Sequence, residues 1–201
     1  MPPSSTQIVA ILAGTSFAAG LNVYATLATL GLLARSGAVR LPPALHVVES
    51  WPVIVVALIM FVIEFFADKI PAFDLIWNGL HTFIRIPIAA LLAYGATSQM
   101  SPATQAIATV LGGSIAFAAH GGKTALRAAV TPSPEPISNI ALSMTEDATA
   151  VGLTWFATKH PYWSAVVVVM LLIATVVMIR WIVRVLRRLY RRVLRRPVEQ
   201  T

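Results

Sequence analysis

The sequence predicts an all-α membrane protein of about six transmembrane helices, arranged as two inverted three-helix repeats and followed by a basic amphipathic extension. Of its 201 residues, 57% are hydrophobic and only 11% are charged, with a mean hydropathy of +0.77. In a typical soluble domain, about a quarter of the residues are charged. The apolar residues form successive blocks long enough to cross a bilayer, and short stretches of the first half recur in the second.

The first half of the chain contains three apolar blocks. Residues 8–34 form the first block, which a polar break at residues 20–22 interrupts. Residues 51–67 form the second, and a charged, proline-containing turn at residues 68–71 ends it. The third block, residues 75–97, is the least apolar because it contains an asparagine, a histidine and an arginine. We expect these blocks to be spans one to three.

The second half also contains three apolar blocks. Residues 105–130 form the fourth, for which the segment at residues 120–123 predicts a second helix break. Residues 137–156 and 164–179 form the fifth and sixth. The last block continues into arginines with helical spacing, which predict a basic interfacial helix: Arg180, Arg184, Arg187, Arg188, Arg191, Arg192, Arg195 and Arg196.

The arginine-rich C-terminus predicts the orientation of the chain. Its positive charge outweighs that of every other loop, so the positive-inside rule predicts a cytoplasmic tail over residues 181–201. Six spans would return the N-terminus to the cytoplasm. We therefore expect one multi-pass transmembrane domain, residues 1–201, with both ends in the cytoplasm. The net charge of +7 then indicates a contact with anionic lipid and not with nucleic acid.

Two pairs of short segments indicate an internal repeat. Phe-Ala-Ala occurs at residues 17–19 and again at 117–119, and residues 66–73 resemble residues 156–163 around a shared lysine and proline. The pattern divides the chain into repeat one, about residues 8–98, and repeat two, about residues 105–180. Three spans in each repeat would place the halves in opposite orientations, as in many secondary transporters.

Basic side chains in apolar blocks are candidates for binding a substrate. His120, Lys123 and Arg127 share one face of a helix, and His81 with Arg85 forms a second basic pair. Together they could bind a phosphate or a carboxylate, unless they only form structural pairs with acidic residues. The predicted substrate-binding set is His120, Lys123, Arg127, Arg85, His81 and Asn22.

Acidic side chains in the same blocks are candidates for coupling protons or cations. Glu64 and Asp68 lie four residues apart and so share a helix face, although either could simply pair with Lys69 or Arg85. A lipid-facing helix would not tolerate the adjacent acids of the fifth block. The predicted coupling set is Glu64, Asp68, Glu135, Glu146 and Asp147.

Complete enzyme motifs are absent from the sequence. The chain has no cysteine, and its four histidines lack the spacing of a zinc site. It also lacks a nucleophile elbow, a P-loop and a dinucleotide fingerprint. We therefore predict no enzymatic activity and no cofactor, and the sequence leaves open whether a metal binds.

Several short motifs together carry a family resemblance. They are Ala19-Gly20-Leu21-Asn22-x-Tyr24, Glu64-Phe65-x-Ala67-Asp68-Lys69-Ile70-Pro71, His81-Thr82-x-x-Arg85, His120-x-x-Lys123-x-x-x-Arg127 and Ser133-Pro134-Glu135-Pro136-x-Ser138-Asn139. With these motifs, residues 7–160 resemble the bacterial membrane-protein family catalogued as domain of unknown function 4126. The resemblance implies an integral membrane protein, in a bacterial inner (plasma) membrane, and no particular activity.

A weaker likeness is to three-plus-three cation/proton exchangers with a Glu-x-Gly-Asp-Lys-Thr signature. Glu64, Asp68 and Lys69 occur in that order, but the spacing differs by one residue and the glycine and threonine are missing.

The sequence therefore predicts a transporter or channel for a small anionic solute or a lipid head group, with carboxylates that couple protons. Two alternatives remain open at this stage. The chain could be a non-transporting, lipid-interacting or scaffold protein, or it could be a cation/proton exchanger. A homodimer is also compatible with the sequence, because six short helices enclose little volume.

Overall fold

The computed structural model describes residues 4–130 and 136–194, and within these ranges the chain is helical with no strand. Glu135, Arg195 and Arg196 lie outside the described residues. A 3-10 helix, Pro43–Glu49, precedes the third α-helix. The α-helices are α1 Ser5–Leu21, α2 Val23–Arg35, α3 Trp51–Ala67, α4 Pro71–Ala96, α5 Pro102–Val130, α6 Pro136–Lys159 and α7 Pro161–Leu194.

Three of the described helices are long and apolar enough to cross a membrane: Ile76–Ala96 in α4, Pro102–Ala129 in α5 and Pro161–Arg188 in α7. A fourth is added if the 3-10 helix and α3, which meet at a bend of 57°, count as one span. The predicted all-helical class and the presence of membrane-length apolar helices are confirmed. The number of six transmembrane helices and the inverted repeats stay predictions.

The first apolar block forms two helices and not one. Asn22 has an extended backbone (φ −149°, ψ 103°), so α1 ends at Leu21 and α2 begins at Val23, where the sequence predicts a break. Asn22 is completely buried, which fits the requirement that non-helical backbone at membrane depth be covered by protein.

The two helices of this block fold back on each other as a hairpin. Thr6 near the start of α1 lies 3.2 Å from the Tyr162 hydroxyl, and the carbonyl of Ala38, just after α2, accepts a hydrogen bond from Lys159 Nζ at 3.4 Å. Lys159 and Tyr162 flank the α6–α7 junction. The start of α1 and the end of α2 therefore lie at the same end of the bundle, which we call the base end. Asn22 forms the hairpin tip.

The hairpin changes the expected course of the chain. From the base end, α3 leads to the opposite end, which we call the far end, and α4, α5, α6 and α7 then alternate in direction. The first described helix, α1, begins at the base end, whereas α7 ends at the far end. The prediction that residues 8–34 form one continuous span is therefore wrong, because the chain turns back at Asn22. The side of the membrane on which each end lies stays a prediction.

The directions of the helices bear on the predicted repeat, which stays a prediction. The α3–α4 turn lies at the far end and the α6–α7 turn at the base end, so the chain passes through the two matched segments in opposite directions. However, α1 and α5 both begin at the base end, which disagrees with an inversion that includes the first helix of each repeat.

The predicted break at residues 120–123 is also wrong, because α5 is continuous from Pro102 to Val130. Gly122 has a packing role instead. A Cβ at Gly122 would lie 2.6 Å from Thr175 Cγ2, so the glycine allows α5 and α7 to approach closely. Small residues serve this purpose at many helix contacts in membranes.

Small residues also bring the hairpin close to α5. A Cβ at Gly20 would lie 2.4 Å from the Ala116 carbonyl oxygen and 2.7 Å from Ala119 Cβ. The backbone oxygen cannot move away without shifting α5. This contact fixes the depth of the hairpin tip against the middle of the bundle.

We therefore expect Gly20→Val to lower the thermal unfolding temperature strongly, because overpacking costs roughly 1–3 kcal/mol even where side chains can adjust. Gly152→Val in α6 is the matched control, since no atom lies within 4 Å of a Cβ built there. Unfolding of both variants in lipid nanodiscs can be followed by the fluorescence of the five tryptophans. Equal losses in the two variants would contradict the close contact.

Candidate functional site

The structure brings ten of the eleven predicted site residues into one region at the hairpin tip, and the eleventh, Glu135, lies outside the described residues. Each of the ten is at most 8% exposed. Such burial of charged side chains requires partners. The ten are Asn22, Glu64, Asp68, His81, Arg85, His120, Lys123, Arg127, Glu146 and Asp147.

Arg85 on α4 connects to α3 and α5. Its Nη2 donates to Glu64 Oε1 at 2.5 Å, and its Nη1 contacts Asn78 Oδ1 at 3.1 Å and His120 Nδ1 at 3.0 Å. Because arginine only donates, His120 accepts at Nδ1 and can donate from Nε2 to Thr82 Oγ1 at 2.8 Å. These contacts give His120 a neutral imidazole in this arrangement.

Lys123 on α5 is shared among several acceptors. Its Nζ lies 3.0 Å from Asp68 Oδ2, 3.3 Å from Glu146 Oε2 and 3.6 Å from Glu64 Oε1. It also donates to the carbonyl of Leu21 at 3.2 Å. An ammonium group has three donors, so these four acceptors compete for it.

Arg127 links α5 to the end of α3 and to α6. Two of its nitrogens donate to the two carboxylate oxygens of Glu146, at 3.3 and 2.6 Å, in the bidentate geometry that arginine favours. It also donates to the carbonyl of Asp68 at 3.0 Å and to its carboxylate at 3.2 Å. The side chain thereby binds the C-terminal end of α3.

Asp68 is the C-cap of α3, just beyond the apolar helix. Burial alone would raise the pKa of its carboxyl, but the charges of Lys123 and Arg127 outweigh burial and hold that pKa below its usual value. Asp68 is therefore ionised at neutral pH. Its stabilising ion pairs are lost only when acid protonates it in the folded protein.

The hairpin tip joins this network through the dipoles of its two helices. Lys123 lies at the negative, C-terminal end of α1, where it binds the Leu21 carbonyl. Asp147 lies at the positive, N-terminal end of α2, where Asn22 Nδ2 donates to its Oδ1 at 2.8 Å. Asn22 Oδ1 meanwhile accepts from the amide of Ala25 at 2.9 Å and so caps α2.

Among the described side chains, the cluster contains one more acid than base. Its four carboxyl groups belong to Glu64, Asp68, Glu146 and Asp147, and its three permanent cations belong to Arg85, Lys123 and Arg127. With neutral histidines and ionised acids, the formal charge is −1. One oxygen in each of three carboxylates has no hydrogen-bond partner: Glu64 Oε2, Asp68 Oδ1 and Asp147 Oδ2. The site therefore has more capacity to accept protons than to donate them.

His81 lies beside the cluster rather than within its ion pairs. Its Nδ1 lies 2.7 Å from the Trp77 carbonyl and its Nε2 lies 3.0 Å from the Tyr24 hydroxyl. The backbone carbonyl can only accept, so Nδ1 carries the proton and Nε2 accepts from the tyrosine. The imidazole also stacks on the Trp77 ring, with centroids 4.3 Å apart. It positions α2 against α4.

Three neutral residues of this region, Tyr24, Asn78 and Thr82, were not among the predicted site residues. Asn78 and Thr82 contact Arg85 and His120, and Tyr24 contacts His81. Asn78, Thr82 and Arg85 share one face of α4 by helical spacing, which is the signal that could have identified them.

A groove on the outside of the bundle reaches the cluster. A cavity of about 250 Å³ between α1, α5, α6 and α7 is bordered by Lys123 and Glu146 and otherwise largely by apolar side chains such as Phe17 and Met178. The Glu146 side chain is 9% exposed, whereas Glu64, Asp68 and Lys123 have fully buried side chains.

Comparison with known proteins gives a family and no named relative. No curated protein and no solved structure matches the chain. The family described as a domain of unknown function, DUF4126, matches residues 9–181, which is most of the sequence. This match agrees with the resemblance carried by the motifs around Asn22, Glu64 and Lys123. The chain belongs to the DUF4126 family.

Proposed function

We propose that this protein is a multi-pass membrane transporter that moves a small anionic solute together with protons through the cluster at the hairpin tip. The observation that supports this most is the position of the helix break. The break between α1 and α2 is buried, and its two helix ends contact Lys123 and Asp147. Broken helices whose ends bind ions are typical of secondary transporters.

The proposed topology has five spans, α3 to α7, and a re-entrant hairpin that enters from the base end. In α7, five arginines are exposed from residue 180 onward: Arg180, Arg184, Arg187, Arg188 and Arg191. They favour a cytoplasmic far end in an inner (plasma) membrane, with the arginines near anionic lipid. The end of α7 is then cytoplasmic and the start of α1 lies on the other side.

The proposed repeat is restricted to two helix pairs, α3–α4 and α6–α7. Their directions are opposite, and they contribute acids or bases to the same cluster: Glu64 and Arg85 from the first pair, and Glu146 and Asp147 from the second. Sites between inverted repeats are where alternating access is organised in many transporters.

The ion pairs suggest how an anion and a proton would be coupled. Each of the three cations is in contact with at least one carboxylate, so an anion must displace a carboxylate to bind. A proton bound within the cluster lowers its excess negative charge, so it favours the entry of an anion at the cation that this carboxylate leaves. Because Lys123 is already shared among three carboxylates, it is the cation that can change partner most easily.

A second candidate is a non-transporting scaffold, favoured by the same observation that each cation is paired. In that case the network only holds α3, α4, α5 and α6 together. Cation/proton exchange is distinguished from the first candidate by the direction in which protons move.

Purified protein in liposomes loaded with the pH dye pyranine tests the proposal. Addition of inorganic phosphate or succinate should acidify the interior, because the anion and the proton enter together. Glu64→Gln should abolish this signal, since it removes the carboxylate bound to Arg85. Glu49→Gln, the same change in the 3-10 helix outside the cluster, is the matched control and should leave the signal unchanged.

Other results separate the alternatives. An alkaline shift on addition of sodium or potassium would indicate cation/proton exchange. No shift beyond that of protein-free vesicles with any of these solutes would favour the scaffold.

A further inference from the structure

Asp147 differs from the other three carboxylates of the cluster because no described cation lies within ion-pair distance of it. Its Oδ1 accepts from Asn22 Nδ2 at 2.8 Å, and its Oδ2 has no hydrogen-bond partner. By contrast, Glu64, Asp68 and Glu146 each contact at least one arginine or lysine. The excess negative charge of the cluster is therefore least compensated at Asp147.

The groups that face Asp147 make its ionised form costly. The side chain is only 5% exposed. Glu64 on α3 and Asp68 at the C-cap of α3 place negative charges near it, and its neighbour on α6 is Glu146. Lys123 on α5 and Lys69 after α3 act on it with the opposite sign. Neither lysine forms an ion pair with Asp147, and the hairpin offers only the neutral Asn22.

We propose that Asp147 is the proton-binding carboxyl of this protein and that Asn22 communicates its protonation state to the hairpin tip. This inference rests on the proposed function, because it names the group that would carry the coupled proton. The proton arrives from water and binds Oδ2, the oxygen without a partner, while Oδ1 still accepts from Asn22.

Proton binding changes the interactions at the tip. The ionised carboxylate accepts a charge-assisted hydrogen bond from Asn22 and stabilises the positive end of α2. The neutral acid accepts a weaker bond and no longer interacts with that helix dipole. Asn22 is also the N-cap of α2, so the first turn of α2 becomes less firmly held when Asp147 is protonated.

Hydrogen–deuterium exchange of the full chain in lipid nanodiscs tests this inference without a transport assay. After correction for the intrinsic pH dependence of exchange, amides in the first turn of α2 should open more often in mildly acidic than in alkaline buffer. We expect a difference of roughly fivefold, as a hydrogen bond to a charged group becomes a neutral one. Glu49→Gln is the control and should behave like the unmodified protein.

Two variants should remove this pH dependence by different routes. Asp147→Asn resembles the protonated acid. In this variant, the amides in the first turn of α2 should open at the acidic rate in every buffer. Asn22→Ser keeps a capping oxygen for α2 but removes the donor to Asp147, so it should also lose the pH dependence. If either variant does not fold, the other still tests whether the protonation of Asp147 affects the first turn of α2.

Two outcomes would overturn the inference. One is exchange at the tip of the unmodified protein that does not depend on pH after correction. The other is a pH dependence that persists in Asp147→Asn or in Asn22→Ser. If exchange behaves as expected and no solute moves protons in liposomes, the proton site stands and the proposed transport fails.

Discussion

Arg127→Met should be the most destabilising single substitution in the cluster, with a loss of ~3–5 kcal/mol in the free energy of unfolding. Arg127 makes a bidentate contact with Glu146 and binds both the carboxylate and the carbonyl of Asp68. Methionine has a similar length but no charge and no donor. Two buried carboxylates are then left with Lys123 as their remaining shared cation.

The loss should be partly reversible by removing the unpaired charge. In the double variant Arg127→Met/Glu146→Gln, the bidentate pair is removed as a unit, so the protein should be more stable than with Arg127→Met alone. Tryptophan fluorescence during thermal unfolding in nanodiscs measures all variants. Arg184→Met, at an exposed arginine of α7, is the matched control and should change little.

A loss no larger than that of Arg184→Met would contradict the described ion pairs. So would a double variant that is as unstable as the sum of its two single variants.

Lys123→Met should reverse the pH dependence of stability in the acidic range in which Asp68 titrates, below the range in which Asp147 takes up its proton. In the unmodified protein, the lowered pKa of Asp68 means that stability decreases when acid protonates the folded carboxyl. Without Lys123, four carboxyl groups share two arginines and the formal charge of the described cluster becomes −2. The folded variant then binds protons more readily than the unfolded chain, so its stability should increase as the pH falls.

Unfolding temperatures measured across a series of buffers test this reversal. Lys159→Met at the exposed end of α6 is the matched control, and its pH profile should follow that of the unmodified protein. Parallel profiles for Lys123→Met and the unmodified protein would show that Lys123 does not balance these carboxylates.

The sequence indicated the members of the site but not their pairing. Charged residues in apolar blocks stand out because lipid-facing helices exclude them, and that signal identified Glu64, Lys123 and Arg127. Which acid each base contacts depends on how helices that are distant in sequence pack. The Arg127 contacts with α3 and α6 follow from that packing and from no local pattern.

The course of the first block was not predictable from its length. Residues 8–34 are long enough for one span, and the Gly-Leu-Asn interruption indicated only a break. The reversal at Asn22 depends on contacts with Asp147 and Lys123, more than a hundred residues away. The break predicted at residues 120–123 is absent because Gly122, a glycine needed for close packing against Thr175, has the same local signature as a helix breaker.

The central claim is that the buried cluster binds a proton at Asp147, and charge displacement on a solid-supported membrane tests it most directly. A jump in pH without any solute should move charge in the unmodified protein and in Glu49→Gln, and Asp147→Asn should show no such displacement. An equal displacement in Asp147→Asn, or none in the unmodified protein, would contradict the account.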